Sequence, residues 1–324
     1  MATKKIEIQD HQGNIYYPHS DSSIIKHNNT TVQTQLNTNT TNIAQLSNPN
    51  LLINGDFQVW QRGTSFSVNN NGVNITGIYT ADRWIVATDA TSGTGTLIKT
   101  ENGVKITANL TGTWINFFTR LESSISKKLI GKKLAYTIKF KNPISIQQIW
   151  SMTLSQRNTI TYHIADENLS VSDTYKGTFT VKSTDNDKFF EFGVQFPCTI
   201  GYEAEIEYIK LEVGSVATPF IPRNYGEELA LCQRYYEIVE YVGRDFGATD
   251  TIHMSIPYKI TKRAEPTRKD SGSEVHVGSW IKQPCILTAF NSIHYCFFEL
   301  TKPNTAIYNI GDINVRIIAD AEIY

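Results

Sequence analysis

The sequence has only 4 cysteines among 324 residues. Cys198, Cys232, Cys285 and Cys296 form no CxxC pair, and their spacing fits no zinc-binding pattern. So few thiols in a chain of this length do not make a disulfide framework. We therefore expect free thiols and synthesis in a reducing compartment.

The chain also lacks an excess of charge of either sign. Its 30 Lys and Arg residues face 31 Asp and Glu residues, and the formal net charge is −1. Nucleic-acid binding requires a basic surplus, so this balance argues against nucleic acid as the main partner. No apolar run approaches the roughly 18–20 residues of a membrane span, so we expect no membrane insertion. The N-terminus has no apolar segment typical of a secretory signal, and export would need another route.

Motifs of familiar catalytic sites are missing as well. The sequence contains no GxSxG, HExxH or P-loop motif, and no histidine pair at helical i,i+4 spacing. The carboxylate pairs Asp166/Glu167 and Asp185/Asp187 fall in turns, where solvated side chains are the more ordinary explanation. We predict a non-enzymatic protein without a cofactor. A glycan hydrolase is the less favoured alternative, because no β-helix repeat is present.

Residues 28–55 contain no Asp, Glu, Lys or Arg, but their aliphatic residues are regularly spaced. Steps of four and three alternate, as in the a and d positions of a heptad repeat. Thr and Asn are poor helix formers, so partner chains would have to hold such a helix. A flexible polar linker is the alternative. The seam consists of Ile25, Asn29, Val32, Leu36, Asn39, Ile43 and Leu46.

Most of the remaining sequence has the pattern of β-strands. Residues 1–27 alternate around a turn and predict a short hairpin. From Leu51 onward, short apolar runs recur with turn residues between them, which predicts an antiparallel sandwich. One acidic-start helix is predicted near the centre, and the strand-like C-terminus is expected to be tied into a sheet. The predicted divisions are 1–27, a coiled coil or linker at 28–50, a sandwich at 51–225, a helical connector at 226–236 and a small β domain at 237–324.

Three blocks of sequence resemble a known family. Asn50–Gly63 resembles the opening of a jelly-roll module of phage and prophage tail proteins, and Tyr79–Trp84 matches its second block. Its closing block, which is long and specific, matches Leu211–Phe220, Pro222–Arg223 and Gly226–Tyr236. Together these blocks bracket well over half of the chain.

Shorter stretches extend the resemblance to both ends. Gln9–Pro18 resembles an attachment segment, and Lys262–Thr267 with Ala321–Ile323 is similar to a small C-terminal β head. The chain is thus similar to tail-fibre or receptor-binding proteins of phages and phage-tail-like particles. Their jelly roll is similar to carbohydrate-binding modules.

The resemblance implies a mainly β homotrimer with a trimeric coiled-coil segment, a jelly-roll β-sandwich and a C-terminal β-sandwich head. Its N-terminus would attach to tail or baseplate proteins, and its outer domains would bind a host cell-wall or surface polysaccharide. The protein would belong to the virion, be made in the host cytoplasm and be released by lysis. A structural tail or baseplate protein, whose jelly roll binds neighbouring subunits, is the alternative.

Candidate ligand contacts combine aromatic rings with amides, the groups that hold sugars. If Ile115 and Phe117 face the core, then Trp114, Asn116 and Phe118 face outward or toward a partner. Burial in the core or at a subunit interface is the alternative for each aromatic residue. The candidates are Trp114, Asn116, Gln148 and Trp150 in the sandwich, and Trp280, Asn291, His294 and Tyr295 in the C-terminal domain.

Other residues of the matching blocks have structural expectations. We assign Trp60 and Trp84 to the core. Asn54 and Asp56 could ligate a structural calcium ion, although stabilising a turn is the preferred role. Because the N-terminal segments would anchor and assemble the protein, we expect receptor choice to lie mainly in 237–324, with the jelly roll assisting.

Overall fold

A computed structural model describes most of the chain. The described residues are 8–9, 11–13, 15–16, 26–27, 30–31, 33–38, 47–69, 77–156, 158–167, 169–183, 187–245, 251–270, 274–277, 281–284, 286–290, 292–301 and 311–323. The chain divides into two compact units, one of Met1–Asn48 with Thr218–Ile221 and one of Pro49–Ala217 with Pro222–Tyr324.

Short hairpins and one helix make up the described part of the first unit. Strand β1 (Ile8–Gln9) pairs with β2 (Ile15–Tyr16), and β3 (Lys26–His27) pairs with β4 (Thr30–Thr31), both antiparallel. The first pair confirms the hairpin predicted for the N-terminus. Helix α1 covers residues 33–38.

The seam hypothesis is wrong where it places a helix across β3 and β4. Thr30 and Thr31 are β-branched and favour extended backbone. Oγ1 of Thr31 accepts a hydrogen bond from the backbone N–H of Thr34 at 3.1 Å, so α1 begins only after this cap. Leu36 lies on α1 and is 51% exposed. The other seam residues, Ile25, Asn29, Val32, Asn39, Ile43 and Leu46, lie outside the described residues, and the trimeric coiled coil stays a prediction.

Among the described residues, the second unit has fourteen strands between Ser65 and Val213. They are β5 (Ser65–Val68), β6 (Ile78–Tyr79), β7 (Trp84–Thr88), β8 (Ser92–Gly93), β9 (Gly95–Lys99), β10 (Val104–Ala108), β11 (Leu110–Thr111), β12 (Trp114–Glu122), β13 (Lys133–Ile144), β14 (Gln148–Ser155), β15 (Ile160–Glu167), β16 (Ser172–Thr180), β17 (Asp187–Pro197) and β18 (Tyr202–Val213). Sheet A has the six-stranded order β16-β13-β18-β10-β9-β5. Sheet B has the six-stranded order β15-β14-β17-β12-β7-β6, and β8 pairs with β11.

The two six-stranded sheets pack face to face around one core. Tyr136 of sheet A lies 5.7 Å from Phe192 of sheet B between ring centroids. Phe140 of sheet A lies 6.2 Å from Phe196 of sheet B. Inward side chains of both sheets belong to a single buried cluster, because alternate residues of each strand point to the same face. The protein is therefore mainly β, and the predicted β-sandwich is confirmed.

Among the described residues of this unit, two helices lie between successive strands. Helix α2 (Ser123–Leu129) follows β12, and helix α3 (Tyr225–Gln233) follows β18. The side chain of Asn224 caps α3 by accepting from the N–H of Glu227 at 2.9 Å. Glu227 and Glu228 lie in its first turn, where they complement the helix dipole. The helix predicted within 226–236 is confirmed.

The described residues from Tyr236 onward form two smaller antiparallel sheets. Their strands are β19 (Tyr236–Asp245), β20 (Thr251–Pro257), β21 (Thr267–Asp270), β22 (Glu274–Val277), β23 (Ile281–Pro284), β24 (Ile286–Phe290), β25 (Tyr295–Thr301) and β26 (Gly311–Asp320). Sheet C has the order β19-β26-β22-β23 with β21 also on β26, and sheet D has the order β20-β25-β24. Both belong to the same compact unit as the sandwich, and a separate head domain stays a prediction.

Candidate functional site

The outer face of sheet B carries the candidate site. Ile115 and Phe117 of β12 are fully buried in the core between the sheets. Successive side chains of a strand alternate between faces, so Trp114, Asn116 and Phe118 lie on the opposite face. The orientation predicted for this strand from the sequence is confirmed.

Amide side chains form the first row across this face. Asn116 of β12 lies opposite Gln195 of β17, and Gln195 lies opposite Gln148 of β14. Oδ1 of Asn116 accepts a hydrogen bond from Nε1 of Trp150 at 3.2 Å. Nε2 of Gln195 donates to Oε1 of Gln147 at 3.0 Å. The row offers the donors and acceptors that bind sugar hydroxyl groups.

Two aromatic rings flank a glycine in the second row. Gly193 of β17 lies opposite Phe118 on one side and Trp150 on the other. The two ring centroids are 5.4 Å apart and the planes are tilted by 49°. A Cβ atom on Gly193 would lie 2.5 Å from Cβ of Phe118 and 3.0 Å from Cζ2 of Trp150. Only glycine fits here, because the two rings pack against each other where its side chain would be.

A buried ion pair forms the third row. Arg120 of β12 lies opposite Glu191 of β17, and its Nε donates to Oε1 of Glu191 at 2.7 Å. The residues are 8% and 2% exposed. Burial raises the pKa of the Glu191 carboxyl, and the Arg120 guanidinium opposes that rise. The pair places no net charge on the groove, because the two ionised groups cancel.

Together the rows form the floor of a groove of about 380 Å³. Tyr162 of the edge strand β15 lines one side and is 53% exposed. The remaining lining residues are Ala87, Trp114, Met152, Leu154, Ile160 and Phe189. An open groove with aromatic faces and a few convergent polar groups is typical of a small-molecule or oligomer binding site.

The structure brings together four of the residues predicted from the sequence. Trp114, Asn116, Gln148 and Trp150 all line the groove, although they come from two strands that do not pair with each other. Their contact with a ligand stays a prediction.

Sequence reasoning missed Arg120, Glu191 and Gln195. Arg120 continues the outward alternation of Trp114, Asn116 and Phe118 along β12, and this signal could have found it. Glu191 lies 71 residues away from Arg120 in the chain. No local pattern indicates that β17 pairs with β12.

The second predicted group is only partly described. Trp280 and Asn291 lie outside the described residues. Tyr295 begins β25 and His294 directly precedes it; both are exposed, and the backbone oxygen of His294 accepts from the N–H of Tyr258 at 3.0 Å. Nδ1 of His294 lies 3.5 Å from Oγ1 of Thr261. Their role as ligand contacts stays a prediction.

Asn54 stabilises a turn through its side chain. Its Nδ2 donates to the backbone oxygens of Val59 at 2.9 Å and Asp82 at 3.0 Å, and its Oδ1 accepts from the N–H of Val59 at 2.9 Å. The carboxylate of Asp56 accepts from Nε2 of Gln58 at 3.1 and 3.0 Å. Burial raises the pKa of Asp56. Within the described ranges, no three acidic, histidine or cysteine residues group as metal ligands.

The blocks that resemble tail proteins meet at one buried joint, formed by Arg62, Asp82, Arg83, Tyr235, Tyr236 and Glu322. Glu322 pairs with Arg83 and lies 3.1 Å from Nη2 of Arg62. The guanidinium of Arg83 lies 3.6 Å from the ring centroid of Tyr235, and that of Arg62 lies 3.6 Å from that of Tyr236. These contacts hold the residues around Glu322 against the sandwich. The residues of the matching blocks that form the joint therefore have a packing role.

Trp84 is fully buried beside this joint. Its Nε1 donates to the backbone oxygen of Asn54 at 2.8 Å, and its ring stacks on Phe117 with centroids 5.0 Å apart. Trp60 is partly buried and packs against the same core. The core assignment of Trp84 is confirmed, whereas Trp60 lies at the edge of the core.

None of the described helices has the length and apolar character needed to span a membrane.

No protein-family model and no curated protein matches this chain. Solved structures give weak similarities. A xylanase 10C variant from Cellvibrio japonicus in complex with xylopentaose is 12% identical, with a TM-score of 0.29, over 42% of this chain and 28% of that chain. A carbohydrate-binding module of the β-sandwich superfamily is 11% identical, with a TM-score of 0.28, over 49% of this chain and 61% of that chain.

A family 11 carbohydrate-binding module from Clostridium thermocellum, in complex with a β-1,3-1,4-mixed-linked tetrasaccharide, is also similar. The identity is 13% and the TM-score is 0.21, over 50% of this chain and 94% of that chain. The chain spans only 28% and 61% of the lengths of the first two structures. Because these scores are low, the β-sandwich is established by the sheet order of this chain and not by the similarities.

Proposed function

We propose that this chain is a non-enzymatic glycan-binding protein and that the groove on sheet B is its binding site. The observation that carries the proposal is the combination of aromatic faces with a row of amides. Pyranose rings have apolar CH faces that pack on aromatic rings, and their hydroxyl groups pair with amides. Trp114, Phe118, Trp150 and Tyr162 supply rings, and Asn116 supplies an amide beside them.

Binding is favoured over hydrolysis by the acidic groups of the groove. Glycoside hydrolysis generally uses two carboxyl groups that flank the scissile bond. Among the described residues that line the groove, Glu191 is the one carboxylate. Its Oε1 lies 2.7 Å from Nε of Arg120. A second carboxyl group, which hydrolysis would need, is missing from the described lining.

We further propose that the chain is a homotrimeric tail fibre or tip protein of a phage or phage-tail-like particle. The sequence resemblance and the heptad spacing of the seam support this role. The N-terminal segment would attach to tail or baseplate proteins, and the protein would belong to the virion after synthesis in the host cytoplasm and release by lysis. Three weak glycan sites on one fibre would act together, and their avidity would exceed the affinity of each site.

Retention of the full chain on insoluble host cell walls tests the proposed site. Trp114→Ala removes an aromatic face at one end of the groove, and we expect apparent affinity to fall about 10-fold. Tyr225→Ala is the matched control, because it removes an aromatic side chain on α3 that is 56% exposed and outside the groove. We expect the control to bind like the unchanged protein.

Full retention of the Trp114→Ala variant on the cell walls would refute the groove as the binding site. If the unchanged protein binds no wall or soluble glycan, the glycan-binding proposal fails and a structural tail role takes its place. Host choice is a separate question. Exchange of 237–324 with the matching part of a related fibre should change which cells are bound, provided that Glu322 and its partners are kept.

A further inference from the structure

The buried ion pair in the groove has unused hydrogen-bonding capacity. Arg120 donates from Nε to Glu191 and from Nη1 to the backbone oxygen of Ile323 at 2.8 Å. Within the described part of the chain, neither Nη2 of Arg120 nor Oε2 of Glu191 has a hydrogen-bond partner. Both residues line the groove and are more than nine-tenths buried. Groups of this kind gain strongly from a ligand that satisfies them.

The unused donor and the unused acceptor belong to two residues in direct contact. Nε of Arg120 donates to Oε1 of Glu191 at 2.7 Å, and both residues line the groove. The contacting pair therefore offers a ligand one donor, Nη2 of Arg120, and one acceptor, Oε2 of Glu191.

We propose that Arg120 and Glu191 together bind a vicinal diol of an uncharged sugar. One hydroxyl group accepts from Nη2 of Arg120, and its neighbour donates to Oε2 of Glu191. This inference rests on the proposed glycan-binding function and names the ligand class of that site. The pair itself is neutral overall, so it gives an anionic sugar no net attraction.

Aromatic rings around the pair favour a sugar over a free diol. The Arg120 guanidinium lies 5.5 Å from the ring centroid of Phe118 and 4.6 Å from that of Phe189. Trp150 lies in the neighbouring row, next to Phe118. A pyranose whose hydroxyl groups reach the ion pair would place its CH face over this aromatic row.

Ile323 positions the side chain of Arg120 through its backbone oxygen. The backbone oxygen of Ile323 fixes Nη1 of Arg120, and the same oxygen accepts from the Tyr79 hydroxyl at 2.7 Å. Ile323 also packs in a cluster with Phe189 and Tyr235. With Nε and Nη1 both engaged, Nη2 is the donor that remains for a ligand. Ile323 is therefore a positioning residue for the groove.

Binding of the full chain to the free and the O-acetylated form of the same polymer tests the proposal. The probes are linear 1,4-linked xylan, glucomannan and galactan, each with free hydroxyl groups and after chemical O-acetylation. Acetylation blocks the diol while the sugar rings stay intact. We expect the unchanged protein to bind at least one free polymer about 10-fold or more tightly than its acetylated form.

The variant Glu191→Gln should bring this ratio close to one, because its amide can still accept from Nε of Arg120 but presents a donor where Oε2 was. Glu203→Gln is the matched control, since Glu203 pairs with Lys105 at 2.9 Å on sheet A and away from the groove. Its ratio should match that of the unchanged protein. Arg120→Lys, which keeps the charge and loses Nη2, should also lower the ratio. Thermal unfolding of each variant shows whether it folds.

The outcomes separate the two proposals. If no polymer is bound in either form, the glycan-binding function fails. If a polymer is bound equally well in both forms by the unchanged protein, the diol inference is refuted and glycan binding stands, and this result needs no variant. Tighter binding of polygalacturonate than of galactan would refute the preference for an uncharged sugar.

Discussion

Arg83, just before β7, forms a buried ion pair with Glu322, 239 residues further along the chain. Arg62 shares the same carboxylate at 3.1 Å. The pair fastens the C-terminal residues of the described chain to the sandwich whose groove is the candidate site. The Arg83–Glu322 pair therefore connects the segment that follows β26 of sheet C to the sandwich.

Substitution of Glu322 tests the joint. Glu322→Gln leaves Arg83 buried without its carboxylate partner and leaves Arg62 with Asp82 alone at 3.6 Å, and an uncompensated buried charge is costly. We expect the free energy of unfolding to fall by about 3–5 kcal/mol, measured by urea denaturation. Glu240→Gln is the control, because Glu240 pairs with Arg316 at 3.2 Å and is 63% exposed at its side chain. A loss of similar size in both variants would contradict a special role for the joint.

The acid Asp82 should make stability depend on pH. Burial raises its pKa to about 6, although Arg62 opposes the rise. A carboxyl group with a raised folded-state pKa binds more protons in the folded protein than in the unfolded chain between its usual value and about 6. The ionised Asp82 carboxylate therefore lowers the free energy of unfolding above pH 6. This loss disappears on acidification to about pH 4.

The variant Asp82→Asn isolates this dependence. From pH 7 to pH 4, the unchanged protein should gain on the order of 1–3 kcal/mol of unfolding free energy relative to the variant. Urea denaturation of both proteins at each pH gives the difference. A relative loss on acidification would show that the Asp82 carboxylate is stabilised by its partners, contrary to the expectation.

Gly193 should be irreplaceable in the groove floor. Gly193→Ala would push Phe118 and Trp150 apart, because the new Cβ atom would lie 2.5 Å from Cβ of Phe118. We expect a loss of about 1–3 kcal/mol in stability and a change in tryptophan fluorescence. Gly226→Ala in α3 is the matched control, since its Cβ would lie 3.4 Å from Oδ1 of Asn224. Equal stability of both variants would be the contrary result.

The intact chain should be a trimer in solution. Sedimentation at micromolar concentration measures the mass of the assembly. Replacement of Val32, Leu36 and Ile43 by Ser should weaken the trimer, because these seam residues would lose their apolar contact with partner chains. A monomeric unchanged chain would rule out the coiled-coil hypothesis.

All cysteines should be free thiols. Cys198, Cys232 and Cys296 are unpaired and buried, and Cys285 lies outside the described residues. Burial raises the pKa of the Cys232 thiol well above its usual value, so it should react slowly in the folded protein. Thiol counting without reductant should find 4 thiols per denatured chain. A count of zero would indicate two disulfides and an oxidising compartment.

The sequence by itself determined those features that depend on neighbouring residues. Alternation predicted the strands of the sandwich and the outward face of Trp114 and Asn116, because the side-chain period of a strand is local. The acidic start predicted α3, because a helix dipole acts within one turn. Local spacing did not predict where α1 begins, since the cap at Thr31 competes with the heptad pattern.

Only the tertiary structure decided which strands lie side by side. Strand β17 lies between β12 and β14, and this order brings Glu191 to Arg120 and Gly193 between two aromatic rings. Strand order depends on contacts between residues far apart in the chain, which no local period encodes. The same holds for Ile323, whose backbone oxygen reaches Arg120 across 203 residues of sequence. The aromatic residues of the groove could therefore be predicted from the sequence. Its ion pair forms only when the chain folds.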